Sequence, residues 1–125
     1  MQPRPRADEL LATVAEVLER DIVPALSGPA QHHARVAASL VGIVERELRL
    51  GPEAAECEFA ALRHLLGSDA SDSSLIDARA LLARRLRDGL ADDPARAEEI
   101  WPALMRIVRD DLSVTKPGHD GWEGE

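Results

Sequence analysis

Apolar residues recur every three or four positions along most of this chain, a spacing that predicts helices rather than strands. The first such stretch starts at Ala7. It lines up Leu10, Leu11, Val14, Val17, Leu18 and Ile22 and closes near Pro24. The second is GPAQHHARVAASLVGIVERELRLGP, from Gly28 to Pro52, with a Gly-Pro pair at each end. Glycine ends a helix in a left-handed conformation and proline fits a first turn, so each pair reads as a stop followed by a start. At 100° per residue, Val36, Leu40, Ile43, Val44 and Leu48 share one arc, which His33 and Glu47 interrupt. The other side carries Arg35, Ser39, Gly42, Arg46 and Arg49. A glycine inside a helix costs roughly 1 kcal/mol against alanine, so Gly42 suggests close helix packing.

A third helix is expected from Pro52 to about Leu66, with Ala55, Phe59, Leu62 and Leu66 at helical spacing. Gly67 to Ser73, GSDASDS, reads as a loop. Ser73 or Ser74 then caps a fourth helix, whose apolar line is Leu75, Ala78, Leu82, Leu86 and Leu90, with Arg79 inside it. Asp93-Pro94 opens a fifth, carrying Ala97, Ile100, Trp101, Leu104, Val108 and Leu112. Pro102 should kink that helix or split it. Short connections favour antiparallel neighbours, so the expected fold is all-α, a compact five-helix up-and-down bundle. Residues 1–6 are read as a disordered leader, 7–116 as the bundle and 117–125 as a flexible acidic tail. The periodicity nominates Leu11, Val14, Leu18, Val36, Leu40, Val44, Phe59, Leu62, Leu82, Leu86, Leu104 and Val108 as core.

Composition narrows the classes of function. Helix formers dominate, and the chain has no Tyr and a single Phe. The net charge of −8 argues against nucleic acid or an anionic membrane as partner. No apolar run is long enough to cross a bilayer, and MQPRPRADE has no signal-peptide core. The lone Cys57 fits a reducing cytoplasm, so a cytoplasmic location is expected.

Chemical motifs are sparse. His32 and His33 point about 100° apart on a helix and cannot chelate one ion together. No Glu-x-x-His pair, serine elbow or phosphate loop occurs, so no metal, cofactor or catalytic residue is nominated. Glu47 and Arg79 each interrupt an apolar stripe on a different helix, which points to an ion pair between them inside the bundle. His33, Glu47 and Arg79 are therefore the candidate buried polar groups. Arg84 and Arg85 give one helix a basic side, and Trp122 stands in the acidic tail as a potential anchor.

The segment His33–Gly51, HARVAASLVGIVERELRLG, resembles a bacterial family of small helical proteins catalogued as a domain of unknown function. The opening ADELLATVAEVLERDIVPAL and the closing DDLSVTKP extend the resemblance over nearly the whole chain. It implies a partner, an aminoglycoside-phosphotransferase-like kinase, for which the small protein is the accessory subunit in 4-hydroxyacyl-CoA phosphorylation of the levulinate type. The family pattern has Phe where His32 stands and Asn where Ser39 stands, and it brings no catalytic residues to carry over.

The expected function is therefore that of a non-catalytic accessory subunit of such a kinase. Its candidate contacts are the small-residue face at Arg35, Ser39, Gly42 and Arg46, together with Arg84, Arg85 and Trp122. One alternative is a small ligand-binding bundle or enzyme with a pocket near His33, Glu47 and Arg79. Another is a self-associating homodimer without a kinase.

Overall fold

Helix begins at Ala7, as the apolar spacing requires, and its first turn is closed by the chain itself: the Arg6 N–H donates to Glu9 Oε2 at 3.1 Å. A computed structural model describes residues 4–118. Its α-helices are α1 (Ala7–Val17), α2 (Gly28–Leu66), α3 (Leu75–Arg87) and α4 (Pro94–Thr115). The fold class is all-α, with no strand among the described residues. Four α-helices replace the expected five, because the second and third are one.

Gly51-Pro52 does not break α2. Proline removes one hydrogen bond and crowds the preceding turn, at a cost of about 3 kcal/mol. The apolar stripe nonetheless keeps its phase across it: Leu40, Val44 and Leu48 fall on the same arc as Ala55, Phe59, Leu62 and Leu66. A chain that stopped and restarted would have no reason to preserve that phase. Pro102 likewise sits inside α4, which runs through it unsplit.

Before Pro24 the chain takes another route. Leu18–Ile22 forms one wide turn, closed by the Val23 N–H on the Leu18 carbonyl, and Val23–Ala25 forms a tight one. Widening the turn moves the upstream carbonyls away from the proline ring.

The contacts divide the chain into two units, residues 1–52 and 53–125. In the first, α1 runs antiparallel to the start of α2. The Gln31 side-chain amide donates to the Val23 carbonyl at 3.1 Å, and Asp8 at the other end of α1 lies close enough to act on the charge of Arg49. Ala38 (2% exposed) and Val23 (9%) are its buried side chains.

The second unit has the larger core: Leu62, Leu65, Leu66, Ala70, Ala78, Leu82 and Ile100, with Phe59, Leu75, Leu81, Leu86, Leu90, Ala103 and Leu104 packed around them. The GSDASDS segment is a tight helical turn from Gly67 to Ala70 that buries Ala70 completely. Gly67, at φ +64°, supplies the left-handed residue that ends α2. Ser74 caps α3 by accepting from the Asp77 N–H at 3.2 Å, and Asp93 caps α4 by accepting from the Ala95 N–H at 3.1 Å. Arg96 closes the end of α2: its Nη2 donates to the Leu65 carbonyl at 2.8 Å and its Nη1 to Glu99 Oε2 at 2.7 Å.

The expected core is corrected at five positions. Val14, Val36, Leu40 and Val44 are 44–57% exposed, and Val108 on α4 is 48% exposed with them. Leu62 and Leu82 are buried as expected. Periodicity identifies the apolar side of a helix, but not whether another element covers it.

Candidate functional site

The two helices of the first unit form a hairpin with two unlike sides. On one side an open groove of about 790 Å³ runs between α1 and α2. From α1 and the turn after it, Ala12, Ala15, Glu16, Glu19, Arg20 and Val23 line it. From α2 come Arg35, Ala38, Ser39, Gly42, Glu45 and Arg46. The small-residue face nominated as a partner surface is thus the floor and wall of an intramolecular groove. Alanines at 12, 15 and 38, with Ser39 and Gly42, leave the space that makes it.

Gly42 has a different reason from the one its position suggested. The three nearest atoms that a Cβ there would meet all belong to the Arg46 guanidinium, the closest at 3.1 Å. The glycine leaves room for a side chain of its own helix lying back along it.

Two of the groove's glutamates hold arginines. Arg20 Nη1 donates to Glu16 Oε1 at 3.0 Å, and Arg49 Nε donates to Glu45 Oε1 at 2.8 Å. The hydrogen bond to Asp21, then the charge of Glu16, raises the pKa of Arg20. The hydrogen bond to Glu45 and that carboxylate's charge do the same for Arg49. Three arginines and three glutamates line the groove, so its lining carries no net formal charge.

The other side of the hairpin is apolar. At 100° per residue, Leu10, Val14 and Val17 lie across α1 from the groove residues, and Val36, Leu40, Val44 and Leu48 lie across α2 from them. All seven are exposed, from 37% at Val17 to 57% at Leu40. The same stripe of α2 is covered from Phe59 onward, in the core of the second unit.

His33, Glu47 and Arg79, the candidate buried polar groups, are all exposed, and no buried charged or polar residue occurs among the described residues. The His32 and His33 rings sit 6.1 Å apart at a 55° tilt. The partner of Arg79 is Glu58: Nε donates to Oε1 and Nη2 to Oε2, both at 2.6 Å. This two-pronged hydrogen bond raises the Arg79 pKa, with the charges of Glu58 and Asp111 adding to it against partial burial. Glu58 sits only about 20° from Glu47 on the helical wheel, so periodicity alone could not choose between them.

Of the outer arginines, Arg85 is held by the Asp69 carboxylate and Arg84 is exposed. Arg63 stacks over the Phe59 ring at 3.9 Å, a cation–π contact that the sequence reading did not foresee. Trp122 lies outside the described residues. No group of three or more metal-ligating side chains is assembled among the described residues, and no described helix is long and apolar enough to cross a membrane.

A family model described as Domain of unknown function (DUF6285) matches residues 24–119. The chain belongs to that family. The DUF6285 match takes in α2, α3 and α4 whole, whereas α1 precedes it. No curated protein and no solved structure matches the chain.

Proposed function

We propose that this DUF6285 chain is a non-catalytic subunit that binds an aminoglycoside-phosphotransferase-like kinase acting on hydroxyacyl-CoA substrates. The observation that supports a binding role is the apolar stripe on α4. Trp101 is 62% exposed and Val108 48%, and Met105 and Leu112 sit half-buried on the same side at helical spacing. A large aromatic held at the surface on a rigid helix is the kind of residue that dominates interface energetics. The kind of partner comes from the resemblance of His33–Gly51 and its flanks to the kinase-associated proteins. Phosphoryl transfer is the kinase's chemistry; the part of this chain is to present a helical surface to it.

The test is co-expression with the phosphotransferase-like kinase that the resemblance implies. The two chains should co-elute, and Trp101→Ala should weaken binding on the order of tenfold or more while leaving the helical content intact. Two separate peaks for the wild-type pair would overturn the reading. Turnover of nucleotide or acyl-CoA by this chain alone would overturn its non-catalytic part.

A further inference from the structure

The uncovered side of the hairpin has a symmetry that says what can cover it. Along α2 the exposed side carries His33, Val36, Leu40, Val44 and Glu47, at spacings of three, four, four and three, with Leu48 beside the last of them. Read from either end, the order of the five from His33 to Glu47 is a polar group, valine, leucine, valine and a polar group. We propose that this face is a self-association surface on which a second copy of the chain packs with α2 antiparallel to α2 and the two-fold axis at Leu40.

About that axis Leu40 meets Leu40 of the partner subunit, and Val36 meets the partner subunit's Val44. His33 comes opposite the partner subunit's Glu47, and the same pair repeats at the other end. An isologous interface requires this kind of self-complementarity, in which each patch supplies what the other needs. It also accounts for His33 and Glu47 at once. Within one chain they are polar intrusions in an apolar arc; across the axis they are a matched donor and acceptor that fix the register.

The size is sufficient. The residues Leu10, Val14, Val17, Val36, Leu40, Val44 and Leu48, exposed by 37–57%, present about 600 Å² per chain, so complete burial of these residues in two copies covers about 1,200 Å², where stable specific interfaces begin. A patch of that extent is at the upper end of what monomers leave in water. Two hairpins joined through these sides make a four-helix layer with their charged grooves facing outward. The proposal does not rest on the kinase reading, and its test uses the full chain alone.

Light scattering after size exclusion should give twice the chain mass. Leu40→Glu should give the monomer mass with unchanged helical content, because Leu40 is a surface residue within its own chain. Leu40→Cys in a Cys57→Ser background should cross-link to a dimer on mild oxidation, since a residue on the axis faces its own copy within disulfide reach. His33→Glu should weaken association by about tenfold or more, and adding Glu47→Arg should restore it. A monomer at concentrations up to roughly 200 µM would overturn the proposal. So would a dimer that persists in Leu40→Glu and does not cross-link at position 40, since it would use another face.

Discussion

Leu62 and Leu40 lie on the same stripe of the same helix, and the chemistry of replacing either with alanine is identical. Their costs should differ severalfold. Leu62 is 1% exposed, between Leu65, Leu66 and the side chains of α3 and α4. Truncation removes the equivalent of three methylenes, about 2.4 kcal/mol of transfer free energy, and leaves a cavity that the surrounding leucines can only partly close. A total loss of about 3–4 kcal/mol is expected. Leu40 keeps 57% of its surface in water, so less than half of the transfer term applies and no cavity forms. Alanine also recovers a few tenths of a kcal/mol of helix propensity, and the net cost should stay below about 1 kcal/mol. The measurement is urea unfolding followed by circular dichroism for both variants. Sub-micromolar chain keeps linkage to self-association small. Equal losses at the two positions would refute the reasoning, because Leu40 would then be as enclosed as Leu62.

Three further outcomes follow from individual contacts. Arg96→Ala should destabilise by about 1–2 kcal/mol in urea melts, because it strips the donor from the Leu65 carbonyl at a helix end, where backbone acceptors have no partner of their own. Arg96→Lys should recover only part of this, since an ammonium cannot span Leu65 and Glu99 as the planar fork does. A double-mutant cycle of Arg79→Ala with Glu58→Ala should give a coupling of about 0.5–1 kcal/mol, small because the Arg79 side chain is 52% exposed; a coupling above about 3 kcal/mol would mean that the pair is enclosed. Gly51→Ala should gain less stability in urea melts than the about 1 kcal/mol that alanine gains at an ordinary helical glycine, because its methyl would crowd the Pro52 ring that follows it in the helix and meet Glu47 Oε1 at 2.8 Å; a full gain would show that neither contact matters.

What the sequence made legible was whatever one helix determines by itself. The start at Ala7 and the Ser74 and Asp93 caps each follow from side chains acting within a few residues, and each appears where the pattern put it. Gly51-Pro52 misled because punctuation is also local. The evidence against a break was the phase of the stripe from Leu40 to Leu66, which becomes visible only when the two segments are placed on one wheel. Ala70 was hidden in a run of turn formers, since composition marks a loop but does not say that one methyl of it will be sealed under three helices' worth of leucine.

The candidate site was harder because it depends on which side of each helix finds a neighbour. Arg79 was recognised as needing a carboxylate, and the wheel offered Glu47 and Glu58 almost equally; only the packing of α3 selects Glu58. Gly42 was read as a sign of contact, when the atoms nearest to it belong to Arg46 on the same helix. The opposite inference holds for the valines and leucines from Val36 to Leu48. Their periodicity is as strong as that of Phe59 to Leu66, and they belong to the same stripe, yet Val36, Leu40, Val44 and Leu48 are exposed where Leu62, Leu65 and Leu66 are buried. An exposed stripe that keeps its apolar character is under a constraint that its own hairpin does not supply. The arrangement of that stripe about Leu40, with valines inside and opposite-natured polar groups outside, is the constraint expected of a surface that must fit itself.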